Sequence, residues 1–358
     1  MQAISITTSS NKYEVSVGTG LRLNIGTFLT KQYSSILIVT DSTVAPLYLL
    51  DVKNGFENPD KVFETIVPAG EASKSQTVYF DLITKAIEFG LDRQSLIIAL
   101  GGGMIGDLAG FVASTYMRGI DFIQVPTSIL AHDSSVGGKV GINHPEGKNL
   151  IGSFYPPQAV IYDVEMLTTL PEQEKRSGYA EIVKHGLISD QAFFTSVIDT
   201  NIMSNLTDQL LTEHLVKGIN VKATIVEQDE KESNVRKYLN LGHTLGHAIE
   251  AELGYGKITH GEAVAIGMLF ALRVSESFYK ISLPYDQLNE WLQTNDYPLQ
   301  IEQLDQQSLL QRMKKDKKST QQKVQMVLLR KIGEPTVEFV EDGFLVQQLD
   351  NFFSELVI

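Results

Sequence analysis

The chain has 358 residues, no cysteine and a formal net charge of −13 at pH 7. Its length suits two domains of ordinary size, and the lack of cysteine excludes disulfides, thiolate metal ligands and a cysteine nucleophile. The acidic balance disfavours nucleic acid and anionic membranes as partners, although a local cationic pocket can still bind a phosphorylated substrate.

The amino terminus has no basic segment followed by an apolar core, which argues against a signal peptide. The most apolar long stretch, residues 96–113, contains Asp107 and several glycines and is a poor membrane span. The sequence therefore predicts a cytoplasmic protein without membrane contact.

The first half of the chain alternates between strand and helix patterns. Apolar and polar residues alternate over residues 1–20 and predict a β-hairpin. Buried strands are predicted next, at 35–40, 62–67, 96–100 and 122–125. An amphipathic helix is predicted at 77–89, between the second and third of them. Because such alternation indicates a parallel sheet covered by helices, we expect residues 1–170 to form a Rossmann-like α/β domain.

The second half reads as helical. Helices are predicted at 172–187, 210–229, 238–253 and 261–278, and the segment 168–171 is the expected joint. We therefore expect residues 171–358 to form a mainly α-helical domain. The active site is expected in the cleft between the two domains, where binding sites commonly form.

A glycine-rich loop follows the strand at 96–100. Gly101, Gly103 and Gly106 fit the G-x-G-x-x-G pattern, in which backbone N–H groups and a helix amino terminus approach a pyrophosphate. The pattern alone is weak, and a tight strand-to-helix turn explains it equally well. Asp41 and Glu71 follow neighbouring strands and could hold ribose or adenine groups, although helix capping is the commoner use of aspartate there.

Histidines and a glutamate fall on three predicted helices. His243 and His247 are four residues apart and share a helix face, His260 precedes an apolar helix, and Glu181 lies on a third. Two imidazoles and one carboxylate are typical of a catalytic zinc site. The spacing alone favours His243 and His247 as the pair, but the middle glutamate of H-E-x-x-H is missing. For any single histidine, a hydrogen-bonded position in the core is the commoner interpretation.

Several cations lie next to glycines or on the helices that carry the histidines. They are Arg118, Lys139, Lys148, Lys184, Lys222 and Arg236. For any single member a solvated surface position is the commoner interpretation, but together they favour a substrate with both phosphate and carboxylate groups.

Seven motifs occur in order along the chain: GGGMIGDLAGF, YMRGIDFIQVPTS, DSSVGGKVGIN, GKNLIGSFYPP, AEIVKHG, NLGHTLGHAIE and HGEAVAIGM. Their order and spacing closely resemble the 3-dehydroquinate synthase family over nearly the whole chain. The resemblance implies a homodimeric enzyme that uses NAD and one divalent metal, zinc or cobalt. It implies conversion of 3-deoxy-D-arabino-heptulosonate 7-phosphate to 3-dehydroquinate and phosphate by transient oxidation, β-elimination, reduction, ring opening and aldol closure.

The resemblance also implies roles for individual residues. It makes Glu181, His243 and His260 the metal ligands, and it moves His247 from the metal to the substrate. The implied NAD contacts are Asp41, Glu71, Lys74, Gly102, Gly103, Asp107, Thr127, Ser128, Lys139, Lys148 and Thr169. The implied substrate contacts are Asp133, Lys139, Asn149, Lys184, Lys222, Arg236 and Asn240. Arg118 is expected to reach the phosphate from the neighbouring subunit, and Lys323 to close over it.

One departure and three alternatives accompany this interpretation. The chain has one residue fewer before Asp133 than many family members, and His132 is interpreted as a loop residue filling the gap. A metal-dependent NAD polyol or alcohol dehydrogenase would instead release NADH. Another sugar phosphate cyclase would take a neutral substrate, and a scaffold protein would have no activity.

Overall fold

The computed structural model describes residues 1–230, 232, 234–254, 256–301, 304–315 and 323–356. Over these residues the strands are β1 (Gln2–Thr7), β2 (Lys12–Gly18), β3 (Ile36–Asp41), β4 (Val62–Val67), β5 (Leu96–Gly101), β6 (Asp121–Pro126), β7 (Lys139–His144), β8 (Gly147–Phe154), β9 (Ala159–Asp163), β10 (Val324–Leu329) and β11 (Pro335–Val340). The α-helices are α1 (Leu50–Asn54), α2 (Gln76–Glu88), α3 (Gly103–Thr115), α4 (Ala131–Ser134), α5 (Glu172–Ser189), α6 (Gln191–Ile198), α7 (Asp208–Gln228), α8 (His243–Leu253), α9 (His260–Tyr279), α10 (Tyr285–Thr294), α11 (Gln306–Lys315) and α12 (Asp342–Leu356).

The chain divides into two compact units. The first comprises Met1–Leu170 with Asp208–Glu230, and the second comprises Pro171–Thr207 with Lys231–Ile358. The sequence-based division at residue 170 differs from this arrangement in the segment Asp208–Glu230, which contains α7. This helix packs against β1 and β2, and the backbone N–H of Thr7 donates to Glu227 Oε1 at 2.9 Å. The segment Asp208–Glu230 thus packs with the first unit through the two amino-terminal strands.

A seven-stranded sheet forms the centre of the first unit, in the order β1-β2-β9-β6-β5-β3-β4. Strands β1 and β2 form the predicted antiparallel hairpin, and the remaining neighbours pair in parallel. Strands β3 and β5 are buried along their whole length, as expected for central parallel strands with helices on both faces. The predicted Rossmann-like α/β fold is confirmed.

A second hairpin, formed by β7 and β8, was not predicted from the sequence. Most of β8 is exposed, so its residues lack the apolar alternation that reveals a half-buried strand. The hairpin packs on α3, where Gly110 leaves room for Val140. It matters for the site because it carries Lys139, Lys148 and Asn149.

The second unit is mainly helical, as predicted, with β10 and β11 as a small antiparallel sheet. Its central helix α9 is buried over most of its length. The predicted helix at 238–253 is wrong in one respect: a 3-10 helix at Val235–Asn240 ends before α8 begins at His243. The break lies at Gly242, whose φ of 81° is left-handed and whose missing side chain would lie 2.7 Å from Val264 O. Asn240 therefore lies outside the helix that carries His243.

Within the described ranges, none of the helices combines the length and apolar character needed to cross a membrane.

Candidate active site

In the first unit, the predicted NAD contacts lie where four neighbouring parallel strands end. Asp41 ends β3, Glu71 and Lys74 follow β4, Gly102 follows β5, and Thr127 follows β6. Because β6, β5, β3 and β4 are adjacent and parallel, their carboxyl ends share one edge of the sheet. This edge is where parallel α/β sheets bind ligands.

The glycine loop leads directly into α3. Gly102 is the residue before the helix and Gly103 its first residue. A side chain at Gly102 would approach Ser128 Oγ to 3.2 Å, and one at Gly103 would approach Ser134 Oγ to 2.9 Å. The glycines therefore keep the amino terminus of a 13-residue helix accessible, where N–H groups and the helix dipole favour an anion such as a pyrophosphate.

Lys74 is the cationic centre of this edge. It is only 4% exposed, and its Nζ lies 2.7 Å from Asp107 Oδ2 and 2.5 Å from Asn149 Oδ1. Desolvation raises the pKa of the Asp107 carboxyl, and the charge of Lys74 only partly offsets this effect. A perturbed carboxyl beside a buried cation is typical of functional sites. The structure thus brings together two predicted NAD contacts and the predicted substrate contact Asn149.

Asn143, on β7, is a polar residue that sequence reasoning missed. Its side chain donates to Glu71 Oε1 at 2.8 Å and accepts from the backbone N–H of Asn149 at 2.8 Å. Its own N–H donates to the carbonyl of Lys74 at 2.8 Å. Asn149 has a left-handed φ of 56°, so this contact helps to fix an unfavourable backbone conformation. The sequence signal was its place as the last residue of the motif DSSVGGKVGIN, which also contains Lys139.

Two other predicted NAD contacts, Asp41 and Thr169, make ordinary structural hydrogen bonds. Asp41 Oδ1 accepts from the N–H groups of Thr43 and Val44 at 2.8 and 3.0 Å, the capping use weighed above. Thr169 Oγ1 lies 2.7 Å from the Tyr48 hydroxyl.

Asp133 pairs with Lys222 of α7, at 2.8 Å between Oδ2 and Nζ. Its neighbour His132, interpreted from the sequence as a loop residue, lies on α4 and is fully buried, with Nδ1 2.7 Å from Ile129 O.

Arg118 is exposed at the end of a 3-10 helix, where Met117, Arg118 and Gly119 all have positive φ values. Lys139 and Lys148 are also exposed, at the two arms of the β7–β8 hairpin. These three cations face the surface of the first unit.

In the second unit, three helices bring the predicted metal ligands together. Glu181 lies on α5, His243 is the first residue of α8, and His260 is the first residue of α9. Glu181 Oε1 lies 3.5 Å from His243 Nε2 and 3.7 Å from His260 Nε2. Ligands about 2.0–2.2 Å from a tetrahedral zinc ion are separated by about 3.3–3.6 Å. The distance to His243 lies in this range and the distance to His260 lies slightly above it, so a small movement would let one ion bind all three residues.

The buried polar atoms also fit a metal ion. Glu181 is 2% exposed, and its Oε1 has no hydrogen-bond partner among the described residues. Its other oxygen, Oε2, accepts from Lys184 Nζ. A buried carboxylate oxygen that lacks a hydrogen bond is costly unless a cation binds it.

The contacts of the Nδ1 atom of each imidazole also support a metal ion bound at Nε2. His243 Nδ1 lies 3.2 Å from Leu241 O, and His260 Nδ1 lies 3.0 Å from Glu250 Oε2. Metal-binding histidines usually donate their second N–H to such an acceptor, which directs the other nitrogen to the metal.

His247 forms a geometric alternative. Ring nitrogens of His243, His247 and His260 all lie within 4.8 Å of one another, so an all-histidine set is also possible by distance alone. The contacts of Glu181 favour the carboxylate-containing set, but His247 is close enough to face whatever binds there.

A close helix contact places Glu181 beside His260. At Gly261 any side chain would overlap the carbonyl oxygen of Ser177 on α5, and the Gly261 N–H donates to Ser177 Oγ at 3.2 Å. Glycine thus allows α5 and α9 to approach at the turn next to the site.

The remaining predicted residues of the second unit differ in exposure. Arg236 is 2% exposed, which is rare for an arginine unless it serves a specific anion or partner. Asn240 donates to Glu232 Oε1 at 3.2 Å. Lys323 is exposed, directly before β10.

Comparisons with known proteins point to one family. The family described as 3-dehydroquinate synthase N-terminal matches residues 64–177, and the one described as 3-dehydroquinate synthase C-terminal matches residues 178–319. A 3-dehydroquinate synthase from Oceanobacillus iheyensis is 52% identical over 357 residues, covering 99% of each chain.

Solved structures of similar shape carry NAD and a metal. A 2-deoxy-scyllo-inosose synthase in complex with carbaglucose-6-phosphate, NAD+ and Co2+ matches with a TM-score of 0.88 and 26% identity, over 97% of this chain and 98% of that one. A 2-epi-5-epi-valiolone synthase from Streptomyces hygroscopicus subsp. jinggangensis 5008, with NAD+ and Zn2+ bound, matches with a TM-score of 0.87, over 98% of this chain and 99% of that one. At 22% identity the second likeness concerns the fold alone.

Proposed function

The chain belongs to the 3-dehydroquinate synthase family, and from this premise we propose how its own residues serve the reaction. Its activity is that of the family: it forms 3-dehydroquinate and phosphate from 3-deoxy-D-arabino-heptulosonate 7-phosphate. It is an enzyme that uses NAD and a divalent metal. The observation that carries the proposal is the position of Glu181 Oε1 opposite His243 Nε2 and His260 Nε2.

Glu181, His243 and His260 would hold the divalent ion, and three protein ligands leave a coordination position for substrate. When bound, the ion would supply Lewis-acid polarisation of a substrate hydroxyl, and NAD would supply a reversible hydride acceptor. Lys184 holds the second oxygen of Glu181, so that one carboxylate oxygen remains for the ion. We assign His247, whose ring is adjacent to those of both other histidines, to proton exchange with bound substrate.

Substrate charge would be matched by fixed cations. We assign Arg236 to the carboxylate, because its guanidinium is held in a buried position and can bind a carboxylate in bidentate fashion. Lys222 is oriented by Asp133 and contributes a second positive charge. Asn149, held by Lys74 and Asn143, offers a polar contact whose position is fixed before substrate arrives.

The phosphate end would be bound by exposed cations. Lys139 is one, and Lys323 is a second that closes over the phosphate. We further propose a homodimer in which Arg118 serves the site of the neighbouring subunit, which would explain an exposed arginine in a backbone with positive φ.

The direct test is an assay of phosphate release. Purified protein is incubated with 3-deoxy-D-arabino-heptulosonate 7-phosphate, zinc or cobalt, and far less NAD than substrate. We expect many phosphates released per NAD and no accumulation of NADH. Glu181→Gln should lose this activity, whereas Glu341→Gln, an exposed glutamate in the same unit, should retain it.

Two outcomes would replace the proposal. Accumulation of NADH in proportion to substrate would indicate a polyol or alcohol dehydrogenase. Phosphate release from neutral sugar phosphates alone, with unchanged rates in Arg236→Ala, would indicate a different sugar phosphate cyclase.

A further inference from the structure

Glu250 is a buried carboxylate that the motifs discussed above leave without a role. It lies on α8, seven residues after His243 and therefore on the same helix face. Its Oε2 is 3.0 Å from His260 Nδ1, while the opposite nitrogen of the same ring, Nε2, is 3.7 Å from Glu181 Oε1. The imidazole of His260 thus lies between two carboxylates.

We propose that Glu250 is a positioning residue of the metal site, which accepts a hydrogen bond from Nδ1–H of His260 and so directs the Nε2 lone pair to the ion. A neutral imidazole carries one N–H, and the partner of that N–H decides which nitrogen remains available. The inference rests on the proposed function, because that proposal assigns His260 to the metal.

The two histidine ligands differ in this respect. His243 Nδ1 faces a neutral main-chain carbonyl, Leu241 O, at 3.2 Å, whereas His260 Nδ1 faces a charged carboxylate. A carboxylate partner raises the basicity of the ring more than a carbonyl does. His260 should therefore be the stronger donor of the two, and the charge of Glu250 should matter beyond its hydrogen bond.

Glu250 also joins the two helices that carry the histidines. It lies on α8, and its partner is the first residue of α9. A buried carboxylate is costly unless it is paired and hydrogen-bonded, and the His260 ring supplies such a partner. The same contact therefore fixes the direction of the ring and the approach of the helix amino terminus.

The test compares Glu250→Gln with the wild type. Glutamine keeps the size and an acceptor oxygen but removes the charge. The metal-stripped proteins are titrated with Co2+ against a chelator, and the visible absorption of the bound Co2+ is recorded. We expect about 10–100-fold weaker binding and an altered Co2+ spectrum. Glu252→Gln is the control: it removes the same charge from the same helix, but Glu252 contacts Ser308 and Arg312 instead.

If Glu250 has only a structural role, Glu250→Gln should have a lower melting temperature but unchanged Co2+ affinity and spectrum. That result would overturn the inference. If Glu250→Gln does not fold, Glu250→Asp carries the test, because it keeps the charge and shortens the reach. Weaker Co2+ binding by Glu250→Asp supports the inference, and wild-type binding contradicts it.

These measurements need no substrate, so they separate the two proposals. A wild-type protein that binds Co2+ but releases no phosphate would defeat the proposed function and leave the role of Glu250 open to the same comparison. An active wild type with an unaltered Glu250→Gln site would defeat only the inference on Glu250.

Discussion

Glu181 Oε1 lies 3.5 Å from His243 Nε2, although the two residues are separated by 62 positions in the chain and belong to different helices. His247, one turn further along α8, faces His243 edge-on with ring centroids 5.3 Å apart. We propose that His243 is a metal ligand and that His247 lies beside the metal.

The first prediction follows from that difference. His243→Ala should lose most of its metal, by at least about 100-fold in affinity, because one of three ligands is gone. His247→Ala should retain metal and lose rate, by about 100-fold or more if it transfers a proton. Metal content after dialysis and phosphate release measure the two effects. Equal loss of metal from both variants would instead favour the all-histidine set.

The second prediction concerns pH. Burial lowers the pKa of His260, but the hydrogen bond with Glu250 and the charges of Glu181 and Glu250 outweigh it, so the pKa is raised above 6.5. The metal needs the deprotonated ring, so binding releases a proton at any pH below this raised pKa. Metal affinity should therefore rise about tenfold per pH unit until the raised pKa is passed and then level off.

The stability of the metal-free protein should change with pH in the opposite direction to its metal affinity. Protonated His260 stabilises the metal-free fold fully below pH 6.5, and this contribution is lost as the pH rises through the raised pKa. Titrations with Zn2+ and melting curves of the stripped protein, both as a function of pH, measure the two trends. A metal affinity that does not change between about pH 5.5 and pH 8 would contradict this account of His260.

The third prediction concerns the close helix contact. Gly261→Ala should destabilise the protein by about 3 kcal/mol, since the methyl group would overlap a backbone oxygen that cannot move easily. It should also weaken metal binding, because α5 and α9 would separate beside Glu181 and His260. Gly343→Ala is the control: nothing lies within 4 Å of the added carbon. Thermal unfolding of both variants checks the expectation, and equal melting temperatures would refute it.

The fold was largely predictable because its signals are local. Strands are predicted by apolar runs such as 36–41 and 96–101, and a hairpin by the turn at residues 8–11. These signals need no knowledge of the residues that pack against them. The helix break at Gly242 was not predictable in this way, because its cause is the close approach of Val264 and Met268 on another helix. The β7–β8 hairpin was missed because one of its strands is mostly exposed.

The candidate site was predictable only in part. Spacing alone suggested His243 and His247 as the histidine pair, and only the family resemblance replaced His247 by His260. Glu250 and Asn143 end two of the quoted motifs, but the sequence did not reveal what they contact. Glu250 contacts His260 at the start of another helix, and Asn143 contacts Glu71 and Asn149. Contacts of this kind appear only when the chain is folded.

The fourth prediction concerns Asn143. Asn143→Ala removes the donor to Glu71 and the acceptor for Asn149, each worth about 1 kcal/mol. NAD affinity should fall by about 5–30-fold, and the Michaelis constant for substrate should rise, while metal affinity stays unchanged. His144→Ala, an exposed neighbour on the same strand, is the control. Fluorescence titration with NAD measures the effect, and wild-type NAD affinity in Asn143→Ala would show that these contacts do not position the site.

The most direct test of the account is a crystal structure of the protein loaded with Co2+ or Zn2+, with the ion located by its anomalous scattering. We predict a single strong peak about 2.0–2.2 Å from Glu181 Oε1, His243 Nε2 and His260 Nε2. A peak bound by His247 in place of Glu181, or no peak among these four residues, would contradict the account.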